Sequence, residues 1–204
     1  NAYTVDYQTE DSMTALSVGG FVVTWSSVGQ DGDGLGVYAQ RFDANGVFQG
    51  NEFRVNTHTI THQQVSFITP FNDGGFIVAW ASTQDGSTYG IYAQRFNANG
   101  APQGDEFQVN TYTFDQQNNP SITAMSDGGF VVTWNSYEQD GSGWGIYAQR
   151  FDSNAKAIGK VNLTGSDNDD HLTVDATAID PFKLLGMYGN DVLLGGSGND
   201  ILDG

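Results

Sequence analysis

The chain has 204 residues, with 24 acidic side chains against 7 basic ones for a formal charge of −17, and it has no cysteine. That balance argues against nucleic acid and against an anionic membrane surface, because no basic stripe exists to meet phosphates. Disulfides and thiolate metal sites are excluded, and no apolar run reaches the roughly 18 residues of a membrane span, so membrane insertion is not expected.

What remains is compatible with a packed core and a cation-friendly surface. Aromatics make up 13% of the chain, and its 27 glycines fall mostly at turns. No stretch shows apolar residues at i, i+3 and i+4, so the composition points to an all-β protein. An acidic surface favours solubility and divalent cations. No signal peptide is visible, and Asn1 is not an initiator, so the expectation is an excised fragment or a processed product.

Residues 2–6 (AYTVD) alternate weakly and read as a strand. They align with EFRVNT (52–57) and EFQVNT (106–111) as a displaced copy of the same strand. Next comes a unit that appears three times. Its first strand is SMTAL (12–16), VSFITP (65–70) or SITAM (121–125). Its second is GGFVVTW (19–25), GGFIVAW (74–80) or GGFVVTW (128–134), with the opening glycines 55 and then 54 residues apart. A fixed period of this kind marks a repeat architecture. Phe21, Val23 and Trp25 share one face of the strand, and Val22 and Thr24 share the other.

The loops QDGDGLG, QDGSTYG and QDGSGWG carry an Asp-Gly hairpin signal and lead into VYAQRF (37–42), IYAQRF (91–96) and IYAQRF (146–151). Turns DANG (43–46) and NANG (97–100) then lead to the fourth strand. In the third unit that turn is DSNA (152–155), and the last strand, KVNLT (160–164), departs from the pattern. Four-strand meanders of this order suggest propeller units. Residues 2–6 would pair with the last unit and close the ring, removing the open edges. Three units fall below the usual four to eight. A β-trefoil and a larger propeller with further units are the alternatives. The reading is therefore an all-β, three-unit, propeller-like domain over residues 1–164.

After residue 164 the text becomes Gly, Asp and Asn punctuated by single aliphatics. GMYGNDVLL (186–194) and GGSGNDILD (195–203) follow the nonapeptide G-G-x-G-x-D-x-U-x, with Met187 in place of the second glycine in the first copy. LTGSDNDDHLTV (163–174) is a divergent opening turn, with Asp170 at the aspartate position and Asn168 in place of a glycine. Glycines let carbonyls crowd a turn, the aspartates add carboxylates, and Leu193 and Leu202 point into a narrow core. Hard oxygen donors in such a turn suit Ca²⁺ better than Zn²⁺ or Mg²⁺.

Residues 165–204 resemble the RTX family, the hemolysin-type calcium-binding repeats of secreted bacterial proteins. The resemblance implies the start of a parallel β-roll in which successive turns alternate sides. It implies Ca²⁺ as cofactor, held by Gly165, Asp167 and Asp170, by Gly186, Tyr188 and Asp191, and by Gly195, Ser197 and Asp200. The segment 165–170 would stack with 186–191, and 175–180 with 195–200. Type I export and folding outside the cell are implied as well.

Other candidates are weaker. Asp31 and Asp33, Asp85, and Asp140 sit in the repeat loops, where turn geometry is the favoured reading and a cation the alternative. Trp25, Trp80 and Trp134 are in phase with the core. Leu35, Tyr89 and Trp144 share one loop position at which an aromatic could stack on a sugar. Arg41, Arg95 and Arg150 recur once per unit, as structural contacts or as a threefold anion site. His58, His62 and His171 lack further zinc ligands nearby. No nucleophile elbow, triad order or phosphate loop is present, so no enzyme activity is expected. The functional expectation is a calcium-binding, non-catalytic binding or spacer module of a large adhesin-like surface protein. The alternative is an accessory domain of a secreted hydrolase or lyase that binds glycans.

Overall fold

The computed structural model describes residues 2–86, 88–139 and 141–158, and beyond them the strands between 161 and 203. Every described element of regular structure is a strand. The first unit comprises β1 (Gln8–Ala15), β2 (Phe21–Val28), β3 (Leu35–Phe42) and β4 (Phe53–Arg54). The second comprises β5 (Gln63–Pro70), β6 (Phe76–Ser82), β7 (Gly90–Phe96) and β8 (Phe107–Gln108). The third comprises β9 (Gln117–Ala124), β10 (Phe130–Tyr137), β11 (Trp144–Phe151) and β12 (Val161–Asn162). Each is an antiparallel meander in sequence order, the expected propeller-like arrangement.

Local chemistry sets this register. The turns into β2, β6 and β10 close through Leu16, Phe71 and Met125, whose N–H groups donate to Gly20, Gly75 and Gly129 carbonyls. Asp43, Asn97 and Asp152 close the next turn with their own side chains: Oδ1 of each accepts from the backbone N–H two and four residues on. The paired strands then bring Trp25 opposite Tyr38, Trp80 opposite Tyr92 and Trp134 opposite Tyr147. The first strand of each unit carries a bulge, with Glu10, Val65 and Asn119 at positive φ.

The cores lie between units, not within them. Phe76, Val78, Trp80, Tyr92 and Phe96 of the second unit pack on Val22, Val37, Ala39 and Val55 of the first. On its other face, Ile77, Ala79, Ile91 and Ala93 pack on Phe130, Val132, Trp134 and Phe151 of the third. Both faces of a unit are therefore apolar, and each sheet is a layer in a stack. β1 packs on β5 and β5 on β9, while β1 and β9 share no such packing. The described units form an open arc.

The ring-closing role expected of residues 2–6 is therefore corrected. They form no strand. Their backbone repeats the connections between units: Asp6, Thr61 and Asp115 all have positive φ. The carbonyls of Tyr7, His62 and Gln116 accept from Val28, Thr83 and Tyr137 N–H in the same way. NAYTVDYQ (1–8) is thus a copy of NTHTITHQ (56–63) and NTYTFDQQ (110–117). The fourth strands are also shorter than the six-residue EFxVNT pattern, and beyond them the side-chain oxygens of Asn56 and Asn110, in place of a backbone carbonyl, accept from Val37 and Ile91 N–H.

Past residue 164 the pairing changes character. β13 (His171–Val174) pairs antiparallel with β12 and parallel with β15 (Val192–Leu194). β14 (Lys183–Leu185) pairs parallel with β16 (Ile201–Asp203). Strands two apart in sequence share a sheet, the pattern of a parallel β-roll.

Candidate functional site

The residues implied as calcium ligands, Gly165, Asp167, Asp170, Gly186, Tyr188, Asp191, Gly195, Ser197 and Asp200, lie outside the described residues. The strands that follow them are described. His171 pairs with Val192 and Lys183 with Ile201, and His171, Val192 and Ile201 each follow an aspartate in sequence.

Within the repeat units, the loop acids act on the backbone and on a tyrosine. Asp33 Oδ2 accepts from Thr61 N–H at 3.0 Å, tying the first hairpin to the next connection. Asp31 turns the other way, against Gly36 and the Tyr38 ring, and both its carboxylate oxygens are shut from solvent without a hydrogen-bond partner. The two carboxylates of the first loop thus diverge. Asp85 takes the place of Asp31 in the second unit, accepting from Gln108 Nε2 at 3.3 Å. Asp140 lies outside the described residues. Among the described residues, no three His, Asp or Glu side chains converge as a metal site would require.

Glutamates from the segments entering β4 and β8 complete each pocket. Gln30 Nε2 donates to Glu52 Oε1 at 2.5 Å, and Gln84 Nε2 to Glu106 Oε1 at 2.8 Å. The second oxygen of each accepts a backbone N–H from the connection, Ala2 at 2.7 Å and Thr57 at 2.6 Å. Tyr38 and Tyr92 stand beside these acids. Burial pushes each phenol up to about 12, and the nearby Asp31 or Asp85 charge adds to the rise.

The residues that the sequence reading missed are buried amides. Asn56 Oδ1 accepts from Val37 N–H at 2.7 Å, and its Nδ2 donates to the His58 carbonyl at 2.6 Å and to Gln63 Oε1 at 3.1 Å. Gln63 Nε2 donates onward to the Ile60 carbonyl at 2.9 Å. Asn110 and Gln117 repeat the arrangement with Ile91, Tyr112 and Phe114. Each pair closes a connection between units. The signal was available, since both amides recur at the repeat spacing.

The remaining candidates have structural places. Trp25, Trp80 and Trp134 are buried, Trp80 and Trp134 within the two cores between units and Trp25 outside both. Arg41 Nη1 donates to the Asn99 carbonyl at 3.0 Å, and Arg95 Nη1 to the Ser153 carbonyl, so each reaches a turn of the following unit. Arg95 and Arg150 also pair with Asp73 at 3.1 Å and Asp127 at 2.7 Å. Leu35 and Tyr89 bridge to His62 and Gln116 of the next connection. Trp144 is exposed and packs against Tyr137, ring centroids 5.2 Å apart. His58 and His62 stand on the connection, and His171 opens β13.

No family model and no curated protein matches the chain. Solved structures do. A protein of unknown function from Dyadobacter fermentans DSM 18053 is similar at TM-score 0.56 and 9% identity, over 77% of this chain and 55% of its own. An N-acetylgalactosamine deacetylase from F. plautii, in complex with blood group B trisaccharide, is similar at TM-score 0.50 and 11% identity, over 80% and 55%. At these identities the likeness concerns the fold alone. The chain spans about half the length of either structure.

Proposed function

We propose that this chain is a calcium-stabilised, non-catalytic binding or spacer module of a large secreted bacterial protein with RTX-type repeats. The observation that carries the reading is the register of the last strands. His171 lies opposite Val192 in a parallel pair, and each directly follows the aspartate of a Gly/Asp-rich turn motif, Asp170 or Asp191. In a parallel sheet, segments entering paired strands meet at one end. Two such segments, rich in carbonyls and carboxylates, offer the hard oxygen donors that Ca²⁺ takes. Gly165, Asp167 and Asp170 would hold the ion from one side and Gly186, Tyr188 and Asp191 from the other. Gly195, Ser197 and Asp200 would serve a second ion across from these.

Bound Ca²⁺ offsets self-repulsion in a chain of charge −17 and cross-links its turns. Linkage then adds about 2.7 kcal/mol of stability at a hundredfold excess over Kd. Calorimetric titration of the whole chain checks this. Heat of binding that falls roughly tenfold in affinity in Asp191→Asn supports the reading; no heat at millimolar Ca²⁺ rejects it.

A second reading, glycan binding as an accessory domain, is favoured by the exposed Tyr137–Trp144 pair, whose faces suit a sugar ring. A glycan array probed with the chain and with Trp144→Ala tests it. Binding that vanishes in the variant supports the reading, and an array with no signal removes it.

A further inference from the structure

The first unit carries an apolar face that the other two bury. Phe76 and Phe130 are fully buried, whereas Phe21 at the same position is only partly covered. Ile68 and Ile122 are 9% exposed, and Met13 in their place is 69% exposed. Val23 and Phe42 are likewise less covered than Val78 and Phe96. The cause is positional. The second and third units each lie on a preceding unit, and nothing among the described residues lies on the first.

The geometry of the two existing junctions defines what fits there. Phe53 of the first unit docks on Phe96 of the second at 5.5 Å, and Phe107 of the second docks on Phe151 of the third at 5.3 Å. Each lands on a stacked pair, Phe76–Phe96 or Phe130–Phe151. The first unit has the same stack, Phe21–Phe42 at 4.8 Å, and its Phe42 meets only Phe48 of its own unit.

Backbone spacing agrees. A Cβ on Gly74 would come within 2.5 Å of Val18 in the preceding unit, and one on Gly100 within 3.0 Å of Arg41. The corresponding Gly19 and Gly46 face open space. The cavity beside Gln94 and Glu106 is walled by Arg54 and Val55 of the preceding unit. Its counterpart beside Gln40 and Glu52 has no such wall.

We propose that this face is the seat of a further unit of the same repeat, carried on the same polypeptide and entering through residues 1–8. The choice of occupant rests on those residues. Residues 2–8 already hold the conformation of the connections that bring the first unit onto the second and the second onto the third. Ala2 N–H meets Glu52 as Thr57 N–H meets Glu106. A unit ending in Val55 and joined to Asn1 reproduces the natural Val55–Asn56 junction, and its Phe53 reaches Phe42.

The test extends the full chain with a copy of residues 1–55 placed ahead of Asn1, with Met13→Leu in the copy so that one Met13 remains. Hydroxyl-radical oxidation of Met13 should slow several-fold against the unextended chain, toward the accessibility of Ile68. Circular dichroism should show added β-structure melting in a single transition with the rest. An extension built from residues 56–109 repeats the test with a unit already seen between two neighbours. If both extensions leave Met13 oxidation unchanged, or both remain unfolded, the proposal is overturned. Sedimentation of the unextended chain as a dimer with Met13 protected overturns it as well, since the occupant would then be a second copy.

Discussion

The first and second units share one strand-and-turn pattern and have different surroundings. GGFVVTW and GGFIVAW differ only by small substitutions, yet Phe76, Val78 and Trp80 are wholly buried while Phe21 and Val23 are not. Burial here is a property of position in the stack more than of the unit. A repeat of this kind gains stability at each interface with a neighbour, as in other quasi-one-dimensional arrays.

The sharpest way to break the comparison is to truncate equivalent side chains. Phe76→Ala should cost about 3–5 kcal/mol, the range for a fully enclosed aromatic. Phe21→Ala should cost less than half as much, because solvent already reaches part of the ring. Urea denaturation of both variants measures the difference, and equal costs would mean that the open face is not open in solution.

A smaller effect is expected at the buried amides. Asn110→Ala leaves Ile91 N–H and Gln117 Oε1 without their partner, and orphaned buried groups cost about 1–3 kcal/mol each. Gln117→Leu alone leaves Asn110 Nδ2 and the Phe114 carbonyl short of a partner, and the double variant should cost less than the sum of the two single ones, because their shared bond is lost only once. A double-mutant cycle by chemical denaturation reads the coupling.

The tyrosines give a titration. Tyr38 and Tyr92 are held neutral to about pH 12 in the folded chain, against about 10 when unfolded. The folded state therefore keeps protons that the unfolded state releases. Stability from this source is intact below pH 10 and is lost as pH rises from 10 to 12. Melting temperature followed across that window should fall, and Tyr38→Phe with Tyr92→Phe should flatten the fall. The smallest effect is expected at the half-exposed ion pairs. Asp127→Asn should cost under about 1 kcal/mol and be masked by salt.

Much of this fold was legible in the sequence for one reason: the unit recurs, so every turn and strand is read three times. Trp80 and Trp134 recur in step with the apolar face and lie in the cores, whereas in the first unit the core is built by Val22 on the opposite face and Phe21, Val23 and Trp25 belong to neither core. The alternating pairing of β13 with β15 and β14 with β16 was anticipated only through the resemblance of residues 165–204 to RTX repeats, which implies turns on alternate sides. Residues 2–6 misled because AYTVD alternates like a strand and, with Tyr3 two residues before Val5, shares the aromatic-x-Val spacing of EFxVNT, while the better match, NAYTVDYQ to NTHTITHQ, is polar and irregular. Asn56 and Gln63 were overlooked because buried amides have no apolar signature. Closure was hidden because all units present the same faces, so nothing in one unit tells how many neighbours complete the arc.

The third sheet has one further consequence. Its order runs β9, β10, β11, β12, β13, β15 without a break, and the antiparallel part meets the parallel part through two residue pairs, Val161 with Val174 and Asn162 with Thr173. Tension applied at the C-terminus must cross this seam before it reaches the stacked units, so under load the tail should peel away first and leave the three meanders intact, as a fuse protects a circuit.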